Sequence, residues 1–182
     1  MLATIVTTEE ELEQIVQLSY QNKKESISED EKTTQGFVSW NYSIDLLKKM
    51  HALHPNVIVK DGSRVVGYAL VALKEARHFH HQMEHMISFV DDILYNGKPL
   101  HDYNYYVMGQ VCVDKAYRGK NVFAMLYEKH KELFQNTFDF IETEISTSNT
   151  RSMRAHEKVG FKTIHTYTDA NDEWNVVIWN WQ

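Results

Sequence analysis

The stretch Arg118-Gly119-Lys120-Asn121-Val122-Phe123 follows an apolar run at 107–113 and leads into residues with helical periodicity that end near Phe134. This pattern predicts a β-strand, a tight basic turn and a helix. The first backbone N–H groups of a helix have no partner within it, and they lie at the positive end of the helix dipole. Such a turn is therefore suited to bind a phosphate or pyrophosphate.

A second stretch follows further along the chain: Asn149-Thr150-Arg151-Ser152-Met153-Arg154-Ala155-His156-Glu157-Lys158-Val159-Gly160-Phe161. Together the two stretches resemble the motifs of the GNAT superfamily of N-acetyltransferases. The residues that match the second motif are Asn149, Lys158, Gly160 and Phe161, while Ser152 stands for a small residue and His156 for a tyrosine. The residues that match the first motif are Arg118, Gly119 and Lys120, while Asn121 and Phe123 stand for two glycines.

The resemblance implies an α+β protein with a GNAT-like three-layer α/β/α fold and a mixed, largely antiparallel central sheet. It implies a single N-acetyltransferase domain over residues 1–182, within which residues 74–104 are predicted to be an insertion. It also implies that acetyl-CoA is the co-substrate and that a primary amine attacks the thioester directly. The expected acceptor is a small-molecule amine or the amine of a peptide.

The same resemblance implies the residues that bind the cofactor. The strand residues Val111, Cys112 and Val113 are expected to hold the pantetheine arm through their main chain. The pyrophosphate and the adjoining parts of the cofactor are expected at Arg118, Gly119, Lys120, Asn121, Val122, Phe123, Ala124 and Asn149. We do not expect Cys112 to be a nucleophile, because a cysteine within an apolar strand is usually buried and inert.

His156 is the predicted catalytic residue, because the family's tyrosine at this place gives a proton to the departing thiolate. A histidine could do so if a neighbour such as Glu144 or Glu157 raised its pKa. In the alternative, His156 only packs or contacts the cofactor, and water assists the thiolate. No general base is marked: Glu75, Glu144 or a water chain are candidates, or the amine arrives already neutral, whereas Gln110 cannot accept a proton.

Two alternative functions come from other features of the sequence. His81-Gln82-Met83-Glu84-His85 fits the His-x-x-Glu-His pattern of inverted zinc peptidases, but no third ligand is identified, so we expect no metal site. The better interpretation is a lid whose side chains line an acceptor pocket. The missing motif glycines also leave open a non-catalytic module that binds and senses an acyl-CoA.

Composition excludes several classes of protein. A net charge of −6 gives no general attraction to nucleic acid and mildly favours a cationic substrate. The single cysteine, Cys112, allows no internal disulfide and favours a reducing cytoplasm. No apolar run approaches the ~20 residues that span a bilayer, and no signal peptide is evident. A homodimer is compatible with the sequence, which does not mark an oligomeric state.

Local patterns predict the remaining elements. Thr8 and Glu11 form a capping box at the start of a helix, and Asp61-Gly62 marks a hairpin turn. The polar stretch 21–32 is predicted to be a mobile loop or a frayed helix. The other predicted strands are 3–7, 56–60, 64–73, 105–113, 139–146, 162–168 and 175–181, and the other predicted helices are 43–50, 79–94, 121–136 and 149–159.

Overall fold

The computed structural model describes residues 1–26, 28 and 37–182. The strands are β1 (Leu2–Ile5), β2 (Val57–Asp61), β3 (Arg64–Ala72), β4 (Leu94–Tyr95), β5 (Lys98–Pro99), β6 (Tyr105–Val113), β7 (Phe140–Ser146), β8 (Lys162–Thr168) and β9 (Glu173–Trp179). The helices are α1 (Glu9–Gln21), α2 (Ile44–Leu53), α3 (His81–Asp91), α4 (Val122–Phe134) and α5 (Thr150–Val159). In the predicted loop at 21–32, Gln21 is the last residue of α1 and Lys24–Ser26 form a 3-10 turn, while residues 27 and 29–32 lie outside the described residues.

Seven of the strands form one sheet in the spatial order β1, β2, β3, β6, β7, β9 and β8. Every neighbouring pair is antiparallel except β6 and β7, which run parallel. The short strands β4 and β5 form a separate hairpin. The mixed, largely antiparallel sheet that was predicted is therefore confirmed.

Helices cover both faces of this sheet, because each face buries its own apolar cluster. One cluster gathers the apolar sides of α1, α2 and α3, with Ile15, Leu47 and Ile87 almost fully buried. The other gathers the apolar sides of α4 and α5 against the opposite face, around Leu126 and Phe161. The result is the three-layer arrangement that was predicted, with the sheet in the middle.

Local chemistry explains where the elements begin. The Thr8 hydroxyl accepts a hydrogen bond from the Glu11 N–H, and the Glu11 carboxylate accepts one from the Thr8 N–H, so the predicted capping box is confirmed. Ser43 caps α2 in the same way through the N–H of Leu46. Asn96 and Gly97 both have positive φ, of 50° and 79°, which suits the tight turn between β4 and β5.

Residues 74–104 connect β3 to β6 and differ from the prediction in detail. The helix predicted from residue 79 begins at His81, because Lys74–Phe79 form a 3-10 turn instead. Strand β9 begins two residues before its predicted start, at Glu173, since the turn after β8 is tighter than expected. Within the described part of the chain, none of the helices has the length and apolar character needed to cross a membrane.

Candidate functional site

A groove opens in the middle of the sheet because the two parallel strands separate. β6 and β7 pair only between residues 105–107 and 140–142. The Thr143 hydroxyl donates one more bond, of 3.0 Å, to the Met108 carbonyl oxygen. Opposite β3, β6 carries a bulge at Gly109 and Gln110, since two residues there face the single residue Leu70. Beyond the bulge β6 turns away from β7, and backbone edges of both strands face the opening.

The opening consists of two adjoining parts. The larger part is a groove between the separated strands, about 800 Å³ with the space open to solvent included, which we call the central groove. The smaller part lies between the end of β6 and the first turns of α4 and α5, measures about 490 Å³ on the same basis, and is called the side cavity. The predicted cofactor residues that line the side cavity are Val111, Cys112, Val113, Phe123 and Asn149.

The remaining predicted cofactor residues form the turn before α4 and its first residues. Gly119 and Asn121 both have positive φ, of 76° and 66°. Asparagine tolerates this conformation better than most residues, which explains how Asn121 replaces a glycine. The carbonyl oxygen of Asn121 is bonded to the N–H of Met125, so the N–H groups of the residues between them precede the first bond of the helix. These N–H groups, at residues 122–124, are suited to bind phosphate oxygens.

The two basic side chains of this turn, Arg118 and Lys120, have different environments. The Arg118 guanidinium donates a hydrogen bond of 2.6 Å to the side chain of Asn22 and another to the carbonyl oxygen of Val113. Lys120 is exposed, and its ammonium lies 4.9 Å from the ring centre of Tyr117. Arg118 therefore ties the turn to β6 and to the end of α1, while the charge of Lys120 is accessible to an anion.

Phe123 replaces a motif glycine without closing the side cavity. Its ring turns toward α5, with its centre 4.9 Å from that of Tyr127 and 5.1 Å from that of His156. The ring therefore packs between the two helices and forms a wall of the side cavity. The backbone N–H groups at the start of α4 are left for a ligand.

Sequence reasoning missed the segment 37–42, which lines both parts of the opening. The side chain of Asn149 caps α5 by accepting a bond from the Ser152 N–H, and it also donates one of 3.1 Å to the carbonyl oxygen of Phe37. The hydroxyl of Tyr42 donates a bond of 2.9 Å to the carbonyl oxygen of Gly109 in the bulge. No local sequence signal announces these contacts, because the partners are far apart in the chain.

Cys112 is buried in β6, and burial raises the pKa of its thiol to about 12. A thiol with such a pKa stays protonated at neutral pH and is a poor nucleophile. This supports the expectation that the cysteine takes no covalent part in the chemistry and contributes only its main chain to the side cavity.

Glu144 is the one carboxylate among the described residues that line the central groove. Burial raises its pKa to about 7, and the charge of Asp169 acts in the same direction. The hydroxyl of Tyr167 donates a hydrogen bond of 2.8 Å to Glu144, which lowers the pKa and partly offsets burial. A carboxylate with this pKa exchanges protons near neutral pH, as a general base must.

The other candidate bases are not placed for that role. Glu75 is exposed on the 3-10 turn after β3 and does not line the groove. Gln110 does line it, but its amide is engaged as a structural link, accepting from the Tyr68 hydroxyl and donating to the carbonyl oxygen of Trp40. Of the residues proposed from the sequence, Glu144 alone combines access to the groove with a suitable pKa.

His156 lies at the wall of the central groove and is 2 % exposed. Its Nδ1 lies 2.8 Å from the carbonyl oxygen of Ser152, which can only accept, so Nδ1 carries the hydrogen. Its Nε2 therefore accepts from the Tyr127 hydroxyl at 2.6 Å. Burial lowers the pKa of His156 to about 4, with a smaller opposing effect from the Ser152 carbonyl. Neither Glu144 nor Glu157 is among the causes of this shift, so the condition under which His156 could donate a proton is not met, and the ring is neutral at pH 7.

The histidine pattern of α3 does not form a metal site among the described residues, where no group of three or more His, Cys, Asp or Glu side chains is arranged to hold an ion. His81, Glu84 and His85 are exposed on the outer side of α3. The expectation of a lid over an acceptor pocket fits one side chain of this helix, Met86, which lines the central groove, whereas Met83 is buried in the core.

Comparison with known proteins agrees with this geometry. Residues 10–161 match the family model described as the acetyltransferase (GNAT) family. No curated protein matches the sequence. Among solved structures, a ribosomal-protein-alanine N-acetyltransferase from Brucella melitensis is 16% identical, with a TM-score of 0.64 and 99% of each chain covered.

Two further structures are similar over nearly their whole length. The ribosomal-protein-S18-alanine N-acetyltransferase from Escherichia coli is 11% identical, with a TM-score of 0.59 and coverage of 97% of this chain and 91% of that one. The protein yncA from Salmonella typhimurium, solved with its cofactor acetyl-CoA, is 14% identical, with a TM-score of 0.62 and coverage of 99% and 94%. At these identities the similarity shows the fold alone.

Proposed function

Because the chain belongs to the acetyltransferase (GNAT) family, whose members are acyl-CoA-dependent and use acetyl-CoA, we propose that it transfers the acetyl group to a primary amine. One observation carries this proposal. The separation of β6 from β7 joins a helix start suited to phosphate to a groove in which Glu144, with a pKa near neutrality, is the one carboxylate among the described lining residues. These are the two parts that acetyl transfer to an amine requires: a place for the cofactor and a proton acceptor for the amine.

The residues present fit the cofactor. The N–H groups at residues 122–124 and the ammonium of Lys120 would hold the pyrophosphate, because they offer donors and positive charge at a helix N-terminus. The main chain of β6 at 111–113 would hold the pantetheine arm along the side cavity. When bound, acetyl-CoA supplies a thioester whose acyl carbon is open to attack and whose thiol leaves.

Glu144 would perform the proton transfer from the amine. A primary ammonium ion is not a nucleophile, so it must lose a proton before it attacks. The ionised Glu144 both attracts the ammonium group and accepts its proton, and the new bond forms between the amine nitrogen and the acyl carbon. The closely packed walls of the groove limit water around the carboxylate and so keep its pKa high.

The role of His156 as proton donor to the thiolate stays a prediction. The neutral ring has one hydrogen, on Nδ1, and that hydrogen is bonded within α5 to the carbonyl oxygen of Ser152. This geometry favours the alternative, in which His156 and Tyr127 form a neutral hydrogen-bonded wall of the groove and water protonates the thiolate.

Release of free thiol from acetyl-CoA, measured with a panel of primary amines, tests the proposed function. We expect amine-dependent release and an acetylated amine detected by mass spectrometry. Calorimetry with coenzyme A should show binding to the wild-type protein. Binding without any amine-dependent release would instead support the non-catalytic acyl-CoA-binding module, and absence of binding at millimolar coenzyme A would contradict both.

A further inference from the structure

Four large apolar side chains line part of the central groove, and they come from three separate parts of the chain. Segment 37–42 contributes Phe37 and Trp40, α3 contributes Met86, and β9 contributes Trp174. All four side chains are half-buried, so each presents part of its surface to the groove. The Trp40 ring is held in place by Tyr42, with a distance of 4.4 Å between ring centres.

The central groove also has few charged groups among its described lining residues. Glu144 is the one ionisable carboxylate among the described lining residues, and none of those residues is a lysine or an arginine. The described lining residues can therefore pair one ammonium group. A second ammonium group on the same molecule would lie against Trp40, Trp174 or Met86 without a counter-ion among those residues, and the attraction of an aromatic ring for a cation is smaller than the cost of removing that cation from water.

We infer that the acceptor is a primary monoamine with an aromatic or branched aliphatic group a few bonds from its nitrogen. The inference rests on the proposed function and deepens it by naming the acceptor class. The ammonium group pairs with Glu144, and the apolar group lies between Trp40 and Met86, which determine the specificity. The same chemistry is found in a free amine and at the N-terminus of a peptide that begins with an apolar residue.

The test compares kcat/KM among acceptors by thiol release from acetyl-CoA. We expect 2-phenylethylamine and 3-methylbutylamine to exceed ethanolamine, putrescine and spermidine by at least about 10-fold, the size of effect that an apolar pocket gives. A tetrapeptide with N-terminal phenylalanine forms a separate arm. A rate equal to or above that of phenylethylamine assigns the amine to a peptide end, a lower rate assigns it to a free molecule, and either supports the acceptor class.

The most direct test of the acceptor class is a variant that introduces a negative charge into the wall of the central groove. Met86→Glu places a second carboxylate in the wall of the central groove, so it should raise kcat/KM for putrescine by at least about 10-fold and lower it for phenylethylamine. A gain of this kind cannot arise from misfolding. Trp40→Ala should lower the preference for phenylethylamine over ethanolamine. Glu84→Ala, on the exposed outer side of α3, is the control and should change neither value.

The outcomes separate this inference from the proposed function. Amine-dependent turnover in which putrescine or spermidine equals phenylethylamine would overturn the acceptor class while the acetyltransferase function stands. Unchanged selectivity in both Met86→Glu and Trp40→Ala would overturn the assignment of the walls. Coenzyme A binding without turnover of any amine would contradict the function itself.

Discussion

Replacement of Glu144 by glutamine tests the proposed general base most directly. With a pKa of about 7, about half of the Glu144 side chains are ionised at pH 7. Glutamine keeps the shape of the side chain and cannot accept a proton. General base catalysis contributes about 10²- to 10⁴-fold, so we expect Glu144→Gln to lower kcat/KM by that factor at pH 7. Coenzyme A binding, measured by calorimetry, should stay unchanged because Glu144 does not line the side cavity.

The pH dependence allows a finer test through Tyr167. Its hydroxyl donates a hydrogen bond to Glu144 and lowers the pKa of that carboxyl. A hydrogen bond to a charged group contributes about 1.5–3 kcal/mol, and one pKa unit corresponds to about 1.4 kcal/mol. Because the Tyr167 side chain is half-exposed, water replaces part of the lost bond, and we expect the lower end of this range. Tyr167→Phe should therefore move the acidic limb of kcat/KM upward by about one unit.

The direction of the rate change in Tyr167→Phe follows because Glu144 acts as a base only when it is ionised. A raised pKa leaves less carboxylate at pH 7, so the rate of Tyr167→Phe should fall about fivefold there and recover by about pH 9. Tyr103→Phe removes a hydroxyl that donates a hydrogen bond to the carbonyl oxygen of Tyr95, outside the central groove, and serves as the control. All variants are compared with one acceptor, so its own titration is the same throughout. Wild-type rate and an unchanged acidic limb in Glu144→Gln would refute the assignment.

Three further predictions concern other parts of the molecule. Arg118→Glu should weaken coenzyme A binding at least about tenfold in calorimetry, because it removes the hydrogen bond to Asn22 and places a carboxylate near the phosphates. Lys98→Glu, which changes the charge by the same amount, should leave the binding unchanged. His156→Phe should keep coenzyme A binding; a kcat lower by about 10- to 10⁴-fold would support proton donation, and a wild-type kcat would make the residue a packing group. Burial raises the pKa of Glu142, whose two carboxylate oxygens have no hydrogen-bond partner among the described residues. The stability that this group allows below pH 4.5 is therefore lost as the pH rises, so Glu142→Leu should unfold at higher urea than wild type at pH 8 but gain less at pH 4.5.

Local patterns predicted the elements well, because their causes are local. Strand β6 has the predicted bounds of 105–113, and the capping box at Thr8 begins α1 as expected. The motif turn also formed as predicted, with Asn121 in the left-handed conformation that a glycine would otherwise supply. In each case the residues that interact lie within a few positions of one another.

The contacts that shape the site join residues that are distant in sequence, so the sequence does not reveal them. The side chain of Asn149 donates a hydrogen bond to the Phe37 carbonyl oxygen, and the Tyr127 hydroxyl in α4 is hydrogen-bonded to His156 in α5. The sequence names Glu144 and Glu157 as carboxylates that could raise the pKa of His156, but it does not show how deeply the ring is buried. Burial between α4 and α5 has the larger effect on that pKa, and burial depends on tertiary packing.

Glu144 did carry a signal that sequence reasoning can use. It lies two residues after Glu142 in β7, so both side chains point to the same face of the strand, and burial of two carboxyl groups there raises the pKa of each. A structural strand would avoid this arrangement, because an unpaired buried carboxyl group destabilises the fold.

The separation of β6 from β7 explains how β7 can carry the buried carboxyl group of Glu144. The bulge at Gly109 turns β6 away, and a side chain at that position would meet the Tyr42 hydroxyl, since a Cβ atom there would lie 2.8 Å from it. The opening gives the side chain of Glu144 access to a ligand while the packed walls keep its pKa near 7. Paired strands would have buried the carboxyl group completely, and a fully open edge would have returned its pKa to the range of an ordinary glutamate, where it would be a weaker base.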